Sequence, residues 1–93
     1  MPYTINEFSV TGTKAKAGVI RNIDTTEGVL IVAVYGAEGE LVGFKTGAIP
    51  EKDGSVEIEL SSVVGAEDAK AFIWDSLDGT KPMSKTRMAN IKN

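Results

Sequence analysis

The feature that most constrains the fold of this chain is a series of short apolar runs, separated at fairly even intervals by Gly, Asp and Pro. A surface helix requires apolar residues at three- and four-residue spacings, and no stretch of the chain shows that period convincingly. Short alternating or continuous apolar runs are typical of β-strands. The sequence therefore predicts an all-β chain with strands at residues 4–11, 14–22, 29–35, 40–48, 55–61, 69–75 and 83–91.

Alternation within three of the predicted strands indicates which residues face a core. Side chains along a strand point to opposite faces in turn, so that every second residue shares a face. Lys14 and Lys16, like Glu57 and Glu59, alternate with apolar residues and are expected to face water. The apolar members of the first strand are Ile5, Phe8 and Val10. Ala15, Ala17 and Val19 share one face of the second strand, and Val56, Ile58 and Leu60 are expected to face inward in the fifth.

The third predicted strand, VLIVAVY at residues 29–35, carries apolar side chains on both faces. Such a run belongs in the middle of a sheet that is covered on both sides. A single sheet leaves one face open to water, so a second sheet is required to bury this strand. Together with the strand spacing, this predicts a seven-stranded, two-sheet Greek-key sandwich of the immunoglobulin or fibronectin type III kind, with residues 1–93 as a single domain.

The turn between the third and fourth strands gives the clearest local prediction. Residues 36–39, with the sequence GAEG, separate two apolar runs and suit a type I turn closed by Gly39 at positive φ. The resulting hairpin is predicted to pair Tyr35 with Leu41 and Val32 with Phe44. Elsewhere, Pro, Gly and Asp predict a loop at 49–54, a connection at 62–68 with room for one helical turn, and a last turn at 78–82.

The composition excludes several classes of function. The chain has no Cys and no His, so disulfides, thiol nucleophiles, zinc sites of the usual kind and a histidine-activated serine are all ruled out. A net charge of −3 without a cluster of basic residues argues against nucleic-acid binding. No apolar run is long enough for a membrane-spanning helix. We therefore expect neither an enzyme nor a cofactor-binding or metal-binding protein.

Two pairs of carboxylates are candidate sites. A glycosidase needs an acid and a base that flank one cleft, with the pKa of the acid raised by burial. The pairs that could be read in this way are Glu57 with Glu59 and Asp75 with Asp78. Asp75 and Asp78 also supply oxygen ligands for calcium, although their spacing is far from that of an EF-hand. The interpretation that we favour is that these two aspartates cap turns through nearby backbone N–H groups.

The sixth predicted strand places its two largest side chains on one face. Ala69, Ala71 and Ile73 alternate with Lys70, Phe72 and Trp74. If the small residues face inward, Phe72 and Trp74 lie outside beside Lys70, and the hairpin brings Tyr35, Ile31, Ala33 and Leu41 to the same face. The alternative is that Trp74 belongs to the core, in which case the two faces are exchanged.

Two segments resemble a known type of domain. Residues 70–77, KAFIWDSL, followed by KPMS at 81–84, are similar to a "VKAFLWDSL…KPLS" pattern near the ends of secreted bacterial multidomain proteins, including carbohydrate-active and cell-surface proteins. Residues 29–35 and the turn after them resemble the "LIVALYDENGKLV" hairpin of the same module. The resemblance spans residues 27–84 and departs from the pattern at Gly36, where Asp is usual, and in the turn at Asp78-Gly79.

This resemblance implies a fibronectin-like accessory module with no activity of its own, in an extracellular or cell-surface bacterial protein. Residues 1–4 have neither the basic nor the apolar region of a signal peptide, so the expected location depends on the resemblance alone. The predicted partner is a neighbouring domain or another protein, with a polysaccharide or a second copy of the chain as alternatives. The residues predicted to bind the protein partner, or to form a carbohydrate-binding face, are Trp74, Phe72, Tyr35, Ile31 and Lys70.

Overall fold

The computed structural model describes residues 1–25, 27–60 and 64–92. Within these ranges there is no helix, and consequently none that is long and apolar enough to cross a membrane. The all-β prediction is confirmed. The strands are β1 (Tyr3–Thr11), β2 (Lys14–Arg21), β3 (Val29–Gly36), β4 (Leu41–Ala48), β5 (Gly54–Glu59), β6 (Ala66–Trp74) and β7 (Arg87–Lys92).

The strands pair in the order β4-β3-β6-β7-β1-β2-β5. All pairs are antiparallel except β1 and β7, which run parallel and are in register only at Val10–Ile91 and Thr11–Lys92. The edge strands β4 and β5 approach each other, so that the sheet nearly closes into a barrel. Gly47 permits this approach, because a Cβ atom at its position would lie 2.9 Å from Ile58 Cδ1.

The core lies between the inner faces of the strands and agrees well with the alternation in the sequence. Leu30 and Val32 are completely buried, and Ile31 and Ala33 on the opposite face of β3 are almost as well covered, which confirms that β3 is a central strand. Phe8 and Val56 are only partly buried against the core. The other apolar residues of these alternating patterns are buried: Ile5, Val10, Ala15, Ala17, Val19, Ile58 and Leu60.

One predicted pairing in the hairpin is wrong. Gly39 has φ +82° and its N–H donates to the Gly36 carbonyl over 3.0 Å, so the turn forms as predicted, and Tyr35 pairs with Leu41. The register then shifts by one residue, and Phe44 lies opposite Ala33 instead of Val32. A β-bulge of this kind adds one residue to one strand and exchanges the faces of the residues beyond it.

Two predicted boundaries also require correction. β6 begins at Ala66, so residues 66–68 belong to this strand and not to the predicted connection. Ser61, Ser62 and Val63 lie outside the described residues. The last strand begins at Arg87, and residues 83–86 precede it. Met83 and Ser84 instead link strands from a buried loop, since Met83 N–H donates to the Ile73 carbonyl (2.8 Å) and the Met83 carbonyl accepts from Tyr3 N–H (2.9 Å).

The side chains of Tyr3 and Arg21 connect β1 and β2 to Glu27 and Pro50 in the neighbouring loops. Tyr3 is 1% exposed, and its hydroxyl donates to the Glu27 carbonyl. The Arg21 guanidinium lies 5.4 Å from the centroid of the Tyr3 ring, and Arg21 Nη1 donates to Tyr3 Oη over 3.1 Å. Arg21 Nε and Nη2 both donate to the Pro50 carbonyl, at 3.2 and 2.8 Å. One side chain therefore binds β1 and the loop before β5.

We expect Arg21→Lys to lower the free energy of unfolding by about 1–3 kcal/mol, as for the loss of hydrogen bonds to a charged group. A lysine ammonium cannot reproduce the planar fork that contacts both Tyr3 and the Pro50 carbonyl. Urea denaturation measures the change. Lys16→Ala on the exposed face of the same strand is the control, with an expected change under about 0.5 kcal/mol. Equal stabilities of Arg21→Lys and the unmodified protein would contradict the assigned role.

Candidate functional site

An apolar depression lies on the outer face of β4, β3 and β6. We call it the aromatic groove; its volume is about 330 Å³. The residues that line it are Ile31, Ala33, Tyr35, Leu41, Phe44, Phe72, Trp74 and Leu77. All of these side chains are apolar or aromatic, and four of them carry aromatic rings.

Strand pairing explains why these residues meet. Residues opposite each other in neighbouring strands point to the same face of a sheet. Phe72 of β6 is opposite Ile31 of β3, and Phe44 of β4 is opposite Ala33. The two-residue period along β6 then adds Trp74 to the face of Phe72. The aromatic groove is thus assembled from the consecutive strands β3 and β4 together with β6, which is distant from them in the chain.

The floor and the rim of the aromatic groove differ in exposure. Ile31 and Ala33 form the floor, since they are buried beneath larger neighbours. At the rim, Leu41 is 57% exposed, Phe44 51% and Leu77 47%. Burial of these side chains by a partner would be favourable, because roughly 25 cal/mol is gained for each Å² of apolar surface removed from water.

The aromatic rings have defined mutual positions. The centroids of Phe72 and Trp74 are 5.1 Å apart, and the planes of the two rings are inclined at 44°. At the end of the aromatic groove, the Lys70 ammonium lies 4.9 Å from the centroid of the Tyr35 ring, which is the geometry of a cation–π contact. The groove therefore combines an apolar surface with one positive charge at its edge.

The structure brings the predicted site residues together. Trp74, Phe72, Tyr35 and Ile31 all line the aromatic groove, and Lys70 contacts it through Tyr35. Ala69, Ala71 and Ile73 are completely buried on the other face of β6, so the proposed assignment of its faces is confirmed. Trp74 itself is partly buried on the outer face and is not part of the core cluster.

Phe44 and Leu77 were missed by the sequence analysis. The predicted pairing of Phe44 with Val32 would have placed Phe44 on the inner face, and the β-bulge moves it to the outer face. The sequence of β4 did contain a signal for the correct face of Phe44. Gly43, Lys45 and Gly47 share one face of the strand, and because that face has no large apolar side chain, Phe44 is left on the other. Leu77 lies in the turn after β6, where strand alternation gives no information.

Asp75, which follows β6, organises a turn. Asp75 Oδ1 accepts from the N–H groups of Ser76 (2.8 Å) and Lys81 (3.0 Å), which confirms the capping prediction for Asp75. The prediction is wrong for Asp78, which is exposed and accepts no hydrogen bond from the described residues. Among those residues, no group of three or more acidic side chains lies together in a way that could hold a metal ion.

The glutamates of β5 do not share a cleft. Glu57 and Glu59 are exposed, and Glu59 Oε1 accepts a hydrogen bond of 2.9 Å from the Thr13 hydroxyl. A glycosidase acid requires a buried carboxyl group beside the scissile bond, and neither side chain has that environment.

No family model, curated protein or solved structure matches this chain. What the fold and the aromatic groove define is a β-rich domain with an apolar surface formed by one exposed sheet face.

Proposed function

We propose that this domain is a non-catalytic interaction module that docks a protein segment, or a neighbouring domain of the same chain, in the aromatic groove. The observation that carries this proposal is the clustering of four aromatic rings with exposed Leu41 and Leu77 on one sheet face. Free monomers rarely expose contiguous apolar patches larger than a few hundred Å², and patches of this kind commonly mark interfaces.

The finer architecture that we propose is a two-layer sandwich of the immunoglobulin or fibronectin type III kind. Two sets of well-paired antiparallel strands support it, namely β1-β2-β5 and β4-β3-β6-β7. The short parallel pairing between β1 and β7 joins the two sets at one edge. Modules of this architecture serve widely as spacers and docking domains, which fits the proposed role.

The proposed setting is an extracellular or cell-surface multidomain protein of a bacterium. This part of the proposal is supported by the resemblance of residues 29–35, 70–77 and 81–84 to the accessory module of such proteins. A non-catalytic role is supported by the absence of His and Cys and by the exposed positions of Glu57 and Glu59.

The second candidate is a carbohydrate-binding module that uses Phe72 and Trp74, and the proximity of these two rings favours it. A flat stacking platform, however, needs coplanar rings, and these are inclined at 44°. Sugar hydroxyls also need hydrogen-bonding partners when they are buried, and the lining of the aromatic groove is apolar. Protein docking therefore has the stronger support.

Fluorescence tests the choice, because Trp74 is the single tryptophan of the chain and lines the aromatic groove. Capped synthetic peptides with alternating apolar residues are expected to shift the Trp74 emission to the blue on binding. Soluble cello-, xylo- and chito-oligosaccharides are expected to leave it unchanged.

The matched variants are Phe44→Ala in the aromatic groove and Ile23→Ala outside it, since both residues are exposed apolar side chains. Loss of one well-placed anchor typically weakens binding by about 1–2 kcal/mol, so Phe44→Ala should raise the Kd by roughly tenfold, and Ile23→Ala should leave it unchanged. An emission shift with oligosaccharides and none with peptides would instead establish the carbohydrate-binding function.

A further inference from the structure

We propose that the segment docked in the aromatic groove carries a carboxylate next to its apolar side chains, and that this carboxylate pairs with Lys70. The inference rests on the proposed docking function and specifies the chemistry of the partner. The observation behind it is the partly buried Lys70 side chain at the edge of an apolar surface, with its ammonium group over an aromatic ring.

The charge of Lys70 is not neutralised within the described part of the chain. Its Nζ atom lies over the Tyr35 ring, and it forms no ion pair with any described carboxylate. The residues opposite Lys70 in the neighbouring strands are Ala33 of β3 and Met88 of β7, and both are uncharged. The positive charge is therefore available to a partner.

Two acidic residues of neighbouring segments, Asp68 and Glu40, form no ion pair with Lys70. Asp68 is two residues from Lys70 on the same face of β6, but it lies opposite Tyr35 and Asn90 and makes no ion pair with Lys70. Glu40 folds back at the hairpin turn, where its carboxylate accepts from the Glu38 N–H over 3.1 Å. Lys70 therefore has no ion-pair partner in either of these carboxylates.

Docking changes the surroundings of this ammonium group. A partner that covers Tyr35 and Phe72 removes water from beside Lys70, and a charge that loses its water without gaining a counter-charge opposes binding. A carboxylate on the partner restores the lost interaction. Charge complementarity of this kind also determines which of several apolar segments is accepted.

The volume of the aromatic groove is small, which limits what can enter it. Its 330 Å³ lies at the lower end of the roughly 300–1,000 Å³ range of sites for small molecules. Pairing of the segment with the free edge of β4 is opposed by two features that protect edge strands, the β-bulge and the charged Lys45 on the inner face. We therefore place the segment across the sheet face, with its side chains in the aromatic groove.

Selection from a random heptapeptide library displayed on phage tests this inference. The unmodified protein is expected to enrich peptides that combine large apolar residues with Asp or Glu. Lys70→Met keeps the apolar stem of the side chain and removes its charge, so it should still enrich apolar residues but lose the preference for an acid. Lys45→Met, on the opposite face of β4, should select like the unmodified protein.

A pair of synthetic peptides measures how much the carboxylate contributes to the binding affinity. A selected peptide and its Glu→Gln analogue are titrated against the protein, with Trp74 emission as the readout. We expect the analogue to bind roughly tenfold more weakly to the unmodified protein, as for removal of one member of a partly buried charge pair. With Lys70→Met, the two peptides should bind within about twofold of each other.

Three results would overturn the inference. Enrichment of apolar peptides without any acid preference would contradict the role of Lys70 and leave the docking function standing. Failure to select any peptide family would contradict both. A dimer in light scattering that Phe44→Asp separates into monomers would assign the aromatic groove to a second copy of the chain.

Discussion

Tyr3→Ala is expected to lower the free energy of unfolding by about 3–5 kcal/mol, the range for truncation of a large buried aromatic side chain. The residue lies close to the beginning of the described chain, where side chains commonly contribute little, yet Tyr3 is 1% exposed. Its ring contacts Arg21 on one side and Gly28 on another, and a Cβ atom at Gly28 would lie only 3.0 Å from the ring. Urea denaturation followed by Trp74 emission measures the loss.

Tyr3→Phe measures the contribution of the hydroxyl group separately from that of the ring. The hydroxyl donates to the Glu27 carbonyl and accepts from Arg21, so its removal should lower the free energy of unfolding by about 1–3 kcal/mol. If Tyr3→Ala and Tyr3→Phe are equally stable, the ring itself contributes nothing and the packing described for Tyr3 is wrong.

Ile58→Ala in β5 is the second substitution with a large expected effect, at about 2–5 kcal/mol. Ile58 is 8% exposed, pairs with Ala15 and contacts Gly47 across the gap between the edge strands. Its truncation leaves a cavity where the sheet comes closest to closing. Thermal and urea denaturation are both suitable measurements.

The neighbouring glutamates are the controls for Ile58. Glu57 and Glu59 point to water on the same strand, so Glu57→Ala and Glu59→Ala should each change the free energy of unfolding by under about 0.5 kcal/mol. Equal losses at Ile58 and Glu57 would show that β5 presents its other face to the core.

The sequence predicted the strands and their faces where one face meets water. In β2 and β5, Lys or Glu alternates with apolar residues, and the burial of Ala15, Ala17 and Ile58 follows that alternation. In β6, alternation left two assignments of the faces open, and the structure buries Ala71 on the inner face and places Phe72 on the outer face. These predictions succeed because the two-residue period of a strand is a property of the local backbone.

The candidate site was predicted in part. Trp74, Phe72, Tyr35 and Ile31 follow from alternation along two strands. Phe44 was assigned to the wrong face, because a bulge adds one residue to β4 and the hairpin sequence alone does not show where the extra residue is accommodated.

By itself, then, the sequence determined that this chain forms strands, which residues of most strands are buried, and that His- and Cys-dependent chemistry is excluded. Only the tertiary structure decided the register of β4, the near closure at Gly47 and Ile58, and the burial of Tyr3 beneath Arg21. The physical reason is the range of the interactions. Alternation acts between adjacent residues, whereas register, closure and the aromatic groove depend on contacts between segments that are far apart in the chain.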